Sequence, residues 1–231
     1  MCTGRIDLSF IARAFYNGAD GVYIAGCRLN ECNYITHGNF YALNMTLLFK
    51  KILEYIGINP ERIRIEFMTS SDAQHFTETV NDFTEKIRTL GPLGESEHLE
   101  EDMLKSKLYN IITLIPYIKI AERKKLSLKI TNPAEWEKIF TLEEVKELIE
   151  NAPSYYIDPE KCAACTLCAQ RCPVDAIDGG KNKIHIIDQE KCIKCSTCLN
   201  VCPTKFSAVK KLIGEPVPPP IPEEKRVIIR K

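Results

Sequence analysis

IDPEKCAACTLCAQRCPV, residues 157–174, is echoed by IDQEKCIKCSTCLNVCPT, residues 187–204. All four cysteines recur at a fixed offset: 162 to 192, 165 to 195, 168 to 198, and 172 to 202. Each half reads C-x2-C-x2-C-x3-C-P. Three cysteines so spaced on a tight loop reach three irons of one cubane, while the fourth, stopped by a proline, faces the neighbouring cubane. This reading places Cys162, Cys165, Cys168 and Cys202 on one [4Fe–4S] cluster. Cys192, Cys195, Cys198 and Cys172 fall on a second. The crossover brings the clusters close enough to exchange electrons. Structural zinc is the competing reading. It normally uses two cysteine pairs on separated loops, and the third cysteine and the proline of each half favour iron–sulfur.

The spacing is that of two-cluster bacterial ferredoxins, and the flanks agree with an α+β ferredoxin-like domain over residues 154–213. Tyr155–Ile157 and Ile184–Ile187 are short β-type runs leading into each loop, and Asp178–Lys181 reads as a turn between the halves. His185 lies in an alternating strand and is expected at the surface rather than as a ligand. Lys161, Lys191 and Lys194 sit beside the cysteines. They are read first as solvated charges, and second as groups that raise the local potential or dock an acidic partner.

Beyond the repeat, the 231 residues hold 31 acidic and 31 basic side chains, a balance that offers no field for nucleic acid. The longest apolar stretch, Leu108–Ile120, is interrupted by Asn110, Pro116 and Lys119, so no transmembrane segment is expected. The first residues, MCTGRIDLSF, lack the pattern of a signal peptide. A cytoplasmic location is the expectation. Eleven cysteines, an odd number, argue for metal ligation over a disulfide framework. Neither a dinucleotide fingerprint nor a P-loop is present. The four histidines are scattered, and no catalytic residue is expected.

Residues 1–94 alternate strands and helices. A short helix is expected over Ser9–Asn17 and a buried strand over Gly21–Gly26. A helix follows over His37–Ile56, with its stripe at Tyr41, Met45, Leu48, Ile52 and Tyr55 and its stop at Gly57. A strand over Arg62–Met68 precedes a helix capped by Ser71 or Asp72 and ended at Gly91. The pattern implies an α/β domain with a parallel sheet, flavodoxin- or Rossmann-like but incomplete. Ligands in such folds sit beyond the C-terminal ends of the strands. Cys27 and Cys32 lie in the loop after the first strand, and Cys2 precedes the first helix. The trio reads as a shared metal site. The alternative is that one or two are buried small hydrophobes.

The stretches MCTGRID, GADGVYIAGCRLNECNY and HGNFYALNMTLLFKKILEYIGINPERIRIEFMTSSDAQHF resemble the delta (iron–sulfur) subunit of methyl-viologen-reducing hydrogenases over residues 1–92. The resemblance implies a [2Fe–2S] cluster, with Cys2, Cys27 and Cys32 as matching ligands. It also implies docking on a flavin subunit of the heterodisulfide reductase A type, fed by a hydrogenase, formate dehydrogenase or NADH-oxidising subunit. Related modules occur in benzoyl-CoA-reductase-type complexes. The family carries about forty further residues upstream, with another cysteine motif, so the chain reads as N-terminally truncated and one ligand short. A misassigned start, an upstream selenocysteine codon, a partner's contribution and a lost cluster all stay open. The ferredoxin segment with its lead-in also resembles the C-terminal ferredoxin domain of flavin-containing subunits in bifurcating hydrogenases.

Residues 95–153 read as a helical connector. One stripe runs from Leu99 to Ile115 and reaches Pro116, Trp136 falls in a short acidic turn or helix, and Thr141–Glu144 form a capping box. The connector is either a brace on the ferredoxin domain or a docking surface. Residues 214–231 form a proline-rich tail with polyproline II character, either wrapping a partner or frayed. The leading functional expectation is an electron-transfer subunit of a soluble multi-subunit oxidoreductase, with the direction of flow not encoded. A redox-sensing iron–sulfur adaptor is the alternative.

Overall fold

A computed structural model describes residues 2–34 and 38–227, which divide into two compact units, Met1–Leu148 and Ile149–Lys231. The first opens with a 3₁₀ turn at Thr3–Arg5 and helix α1 (Leu8–Tyr16), which starts at Asp7 because its carboxylate accepts the Ser9 N–H at 2.9 Å. Strand β1 (Val22–Gly26), helix α2 (Asn39–Ile56), strand β2 (Ile63–Phe67) and helix α3 (Ala73–Leu90) follow. β1 and β2 pair in parallel, from Val22 opposite Ile63 to Gly26 opposite Phe67, with α2 in the crossover that parallel strands require. Among the described residues this sheet has two strands. His37, the expected start of α2, lies outside the described residues.

The expected stripe on α2 is too narrow. Phe40, Leu43, Phe49, Leu53 and Ile56 are buried as well, and so are Asn44 and Thr46. A helix covered on several sides loses one-sided periodicity. Here the covers are α1, the sheet and the segment after residue 122. Asn44 fastens that segment, its Nδ2 donating to the carbonyls of Lys125, Leu126 and Leu128 at 3.2, 3.2 and 2.8 Å.

The connector therefore packs within the first unit. Helix α4 (Glu101–Ala121) lies along α1 and runs through Pro116 rather than stopping there. Proline deletes one backbone hydrogen bond and crowds the preceding turn. Tertiary burial outweighs that here, because Leu104, Leu108, Ile111, Ile115 and Ile118 continue one buried face past it. Lys119, beyond the proline, pairs with Asp7. Helix α5 (Arg123–Leu126), a 3₁₀ turn carrying Trp136, and α6 (Leu142–Glu150) complete the segment. The capping box is reciprocal: the Glu144 N–H donates to Thr141 Oγ1, and the Thr141 N–H to Glu144 Oε2, each at 3.2 Å.

One buried ion pair left no trace in the periodicity. Arg62 is fully buried, its Nε donating to Glu97 Oε1 at 2.7 Å and its other nitrogens to the carbonyls of Asp20, Leu90, Gly91 and Pro92. It locks β2 to the turn after α3. Burial acts to raise the Glu97 carboxyl, but the hydrogen bond and charge of Arg62, together with the N–H groups of Asn59 and Gly94, outweigh it and hold the group below its usual value.

The second unit is built from β3 (Ser154–Ile157), α7 (Leu167–Arg171), β4 (Ile177–Gly180), β5 (Lys183–Ile187), α8 (Thr197–Val201) and β6 (Val209–Leu212). β3 pairs antiparallel with β6, β4 pairs antiparallel with β5, and α7 packs on α8. The first strand of one cysteine half thus pairs with the last strand of the other. The turn expected at Asp178–Lys181 falls later, at residues 181–182, because Asp178–Gly180 are drawn into the ladder with β5. The tail folds back on its own unit. Val217, Pro218 and Pro220 lie against Tyr156, Ile184 and Ile186. Arg226, buried, donates to Asp178 Oδ2 at 2.6 Å, Glu223 Oε2 at 2.7 Å and the Ile184 carbonyl at 3.0 Å.

Among the described residues no helix is long and apolar enough to cross a membrane.

Candidate iron–sulfur sites

The sequence repeat becomes a structural repeat. Asp158 and Asp188 open the two loops alike. Their carboxylates accept from the Glu160 and Glu190 N–H at 3.1 and 3.0 Å, and their carbonyls from the Cys162 and Cys192 N–H at 3.0 and 3.1 Å. Between the cysteines the backbone enters the left-handed region at matching places, Ala164 (φ 51) with Lys194 (φ 57) and Thr166 (φ 66) with Ser196 (φ 63). For residues with a side chain this conformation costs about 1–2 kcal/mol each. Alternation of right- and left-handed residues turns successive N–H groups toward one concave side, a nest suited to an anion such as a thiolate-ligated cluster.

Cys172, Cys192, Cys195 and Cys198 line a single apolar cavity, with Pro173 and Ile193 among its walls. In the other half, Cys162 and Cys202 pack against the buried cluster that contains Cys168. Burial pushes the Cys168 thiol up to about 11, and neighbouring Cys162 and Cys165 add to the effect. Burial likewise pushes Cys198 up to about 12, with Cys192, Cys195 and Cys168 contributing. That Cys168 acts on Cys198 places the two runs side by side. Among the described residues no three Cys, His, Asp or Glu side chains form a grouping for a single metal ion.

The halves differ in what flanks them. Tyr155 on β3 and His185 on β5 occupy equivalent positions, at the same offset as the cysteines. Tyr155 is buried near Cys192, Cys195, Cys198 and Ser196. His185, expected at the surface, is 1% exposed, with Nδ1 3.8 Å from Cys162 Sγ. The alternation holds with the opposite face inward: the face of β5 that carries His185 turns toward Cys162 and Gly179. Opposite it, Gly179 leaves room for the ring, since a Cβ there would stand 2.3 Å from His185 Cδ2. Lys194 is neither a solvated charge nor a docking charge. Its ammonium donates to the Pro153 carbonyl at 3.0 Å and Ser154 Oγ at 3.1 Å, and burial lowers its pKa. Lys191 pairs with Asp188 at 3.4 Å on the surface.

In the first unit, tertiary contacts gather Cys2, Cys27 and Cys32 at the C-terminal end of β1. Thr3 Oγ1 donates to the Ala25 carbonyl at 2.8 Å, which brings Cys2 to the strand end where Cys27 follows. Cys2 Sγ lies 3.6 Å from Cys32 Sγ, and Cys27 is within hydrogen-bonding reach of Cys32. Asn39, first residue of α2, donates to the Cys27 and Arg28 carbonyls at 2.9 and 2.6 Å. Gly38 permits the closure, because a Cβ there would meet Cys32 Sγ at 2.6 Å and the Tyr34 carbonyl at 2.3 Å. Burial raises the Cys27 thiol, and hydrogen bonding to Cys32 adds to that. Burial acts to raise Cys32 too, but the backbone N–H groups of Tyr34 and Asn39, with Cys2 and Cys27, bring it below the usual thiol value. The thiolate form of Cys32 is thereby stabilised relative to that of an ordinary cysteine. Asn39 and Gly38 are the site residues that sequence reasoning passed over, and the glycine directly before the helix was the available signal.

Residues 1–91 match the family model described as methyl-viologen-reducing hydrogenase, delta subunit, and residues 155–209 match a 4Fe–4S dicluster domain. The vhu iron–sulfur subunit of the F420-non-reducing hydrogenase of Methanopyrus kandleri is 40% identical over 93 residues, 40% of this chain and 70% of that one. The iron–sulfur subunit of the F420-non-reducing hydrogenase of Archaeoglobus profundus is 44% identical over 91 residues, 39% of this chain and 66% of that one. One subunit of the ferredoxin/F420H2-dependent CoB-CoM heterodisulfide reductase of Methanosarcina acetivorans is 39% identical over 101 residues, which is 44% of this chain but only 12% of that protein. Through its N-terminal residues the chain belongs to the family of the methyl-viologen-reducing hydrogenase delta subunit, here joined to a 4Fe–4S dicluster domain.

Proposed function

We propose that the chain is an electron-transfer subunit of a multi-subunit oxidoreductase. It relays electrons between a hydrogenase, formate- or NADH-oxidising module and a flavin subunit of the heterodisulfide reductase A type. The observation that carries this reading is the pair of interleaved cysteine loops, each with left-handed residues at matching positions and one buried thiol. The donor set fits two cubanes: Cys162, Cys165, Cys168 and Cys202 for one, and Cys192, Cys195, Cys198 and Cys172 for the other. When bound, such clusters accept and release single electrons. The protein's part is to supply thiolates, exclude water with Tyr155, Ile157, Ala208 and Val209, and leave one edge accessible. Cys165 is the exposed thiol, and the partly exposed Leu167 stands two residues on.

In the same reading residues 1–94 form an incomplete flavodoxin-like domain. Cys2, Cys27 and Cys32 contribute three ligands to a [2Fe–2S] cluster, with a fourth ligand from elsewhere. Residues 95–153 join this domain to the ferredoxin domain at 154–213, and the tail from residue 214 to residue 227 is its strap. The names of the relatives, which are components of hydrogenases and of a heterodisulfide reductase, support the choice of partners. The 3.6 Å approach of Cys2 and Cys32 Sγ favours one second reading, a redox-sensing adaptor in which an external two-electron oxidant such as a peroxide or a disulfide takes this pair of thiols to a disulfide with loss of two protons.

Anaerobic purification with the native partners tests both. The relay reading expects about eight irons in the C-terminal unit by the two-cubane count, interacting [4Fe–4S] signals on reduction, and reduction of a partner's flavin by the reduced chain. Zinc at those positions, or fewer irons, ends it. A reversible Cys2–Cys32 disulfide that alters partner binding without flavin reduction would establish the sensor instead.

A further inference from the structure

The internal repeat gives the two halves nearly the same loop, so a departure from the repeat beside a ligand is informative. The largest is at Tyr155 and His185. Tyr155 carries a phenol where the second half carries an imidazole, and the His185 ring has one polar neighbour on its Nδ1 side, Cys162 Sγ at 3.8 Å. The other ring nitrogen, Nε2, is buried and has no partner. The ring is held in place rather than merely near. It is 1% exposed, the Gly179 backbone closes on it, and Arg226 pins the tail across the adjoining strand through Asp178 and the Ile184 carbonyl.

We infer that His185 is a positioning residue that donates its Nδ1–H to Cys162 Sγ and raises the reduction potential of the cluster Cys162 ligates, leaving the other cluster unmoved. The inference rests on the ligand assignment proposed above. A thiolate bound to iron carries no hydrogen and only accepts, so the attractive arrangement puts the ring proton on Nδ1. Reduction adds negative charge to the cluster and its sulfurs. A donor on one sulfur therefore favours the reduced state, and hydrogen bonds to sulfur are among the levers that set such potentials. Among the described residues no hydrogen bond from Tyr155 to a cysteine sulfur matches that of His185, so the other cluster has no equivalent donor at this position. The relay is thereby made unequal at its two otherwise matched steps.

The test is a potentiometric titration of the full chain followed by electron paramagnetic resonance, on the native sequence, H185F and H185Q, with iron measured on every sample. H185F is expected to lower the reduced-to-oxidised ratio of one cluster at fixed poise by roughly threefold to tenfold, within the strength of one hydrogen bond to a charged acceptor. The second cluster stays in place, and H185Q, which keeps an N–H donor, recovers part of the shift. The native chain labelled with 15N-histidine should show a histidine nitrogen coupled to one reduced cluster in pulsed resonance. This measurement needs no substituted chain to fold. Unchanged potentials in H185F, equal movement of both clusters, or no coupled histidine nitrogen in the labelled native chain overturns the inference. Iron below about eight in the native C-terminal unit overturns the ligand assignment itself, and with it this inference.

Discussion

The two cysteine-bearing regions stand in opposite relations to their hydrophobic cores. In the first unit Leu8, Ile11, Met45, Leu48, Phe49, Ile52 and Ile63 are each at most 1% exposed, and Cys2, Cys27 and Cys32 sit at the rim of a core complete without them. In the second unit the main apolar cluster is Tyr155, Ile157, Cys168, Cys198, Ala208 and Val209, so two of its six members are proposed ligands. Below about 80 residues an apolar core alone rarely suffices, and here the cysteines lie where a larger domain would place leucines. The contrast predicts that in the second unit the fold depends on what the cysteines bind, whereas in the first it does not.

Breaking that contrast is simplest where the expected effect is largest. C198S, or removal of iron by a chelator, should unfold the second unit, because its core then loses both the ligand and whatever the ligand holds. The first unit should be untouched. Amide hydrogen exchange read by mass spectrometry separates the two. Protection across residues 154–213 should vanish, and protection in α1, α2 and α4 should persist. Retained protection in both regions would show that the second unit does not depend on its cysteines for folding.

The next effect lies wholly in the first unit. E97A leaves Arg62 buried without its carboxylate, which costs about 3–5 kcal/mol for a broken buried pair. Thermal unfolding should fall for the first unit alone, at unchanged iron content. The pH dependence follows from the lowered carboxyl value of Glu97. A group whose folded value is depressed stabilises fully above its unfolded value of 4.5, and the contribution is lost as pH falls through the folded value. Native protein should therefore lose first-unit stability below pH 4.5 faster than E97A does.

How much of this was legible in the sequence follows the same divide. The eight cysteines, their repeat and the strands leading into the loops are local features, set by spacing along the chain. The helices and strands of the first unit were also readable, because burial on one side imposes a period and Gly57 and the Thr141–Glu144 box punctuate it. What escaped was non-local. Pro116 reads as a stop until α1 is known to bury the residues on both sides of it. Arg62 reads as a surface charge at the start of a strand until the chain returns with Glu97. His185 reads as the outward member of an alternating strand until Cys162 and Gly179 are brought against its ring.

Gly38 sharpens the contrast from the site outward. In G38A the added Cβ would collide with the Tyr34 carbonyl and Cys32 Sγ. Relief requires the Cys32 loop to move, at a cost of about 1–3 kcal/mol. The reactivity of Cys32 toward an alkylating agent at neutral pH should fall, since the N–H groups that favour its thiolate are no longer aligned. Unchanged alkylation would remove Gly38 from the site.

The smallest expected change in stability is the most discriminating. C27S replaces a partly exposed thiol at the end of β1, and Asn39 keeps its hydrogen bonds to the Cys27 and Arg28 carbonyls because both belong to the backbone. Little apolar surface is uncovered, so the first unit should unfold within about 0.5 kcal/mol of the native protein, as substitutions away from the core do. Any [2Fe–2S] signal in the native complex should nevertheless disappear, while the [4Fe–4S] signals stay. The pairing of an unaltered unfolding curve with a lost signal is the mark of a site laid on a finished core. A C27S chain that unfolds as C198S does would mean that the first unit, too, is held together by what its cysteines bind.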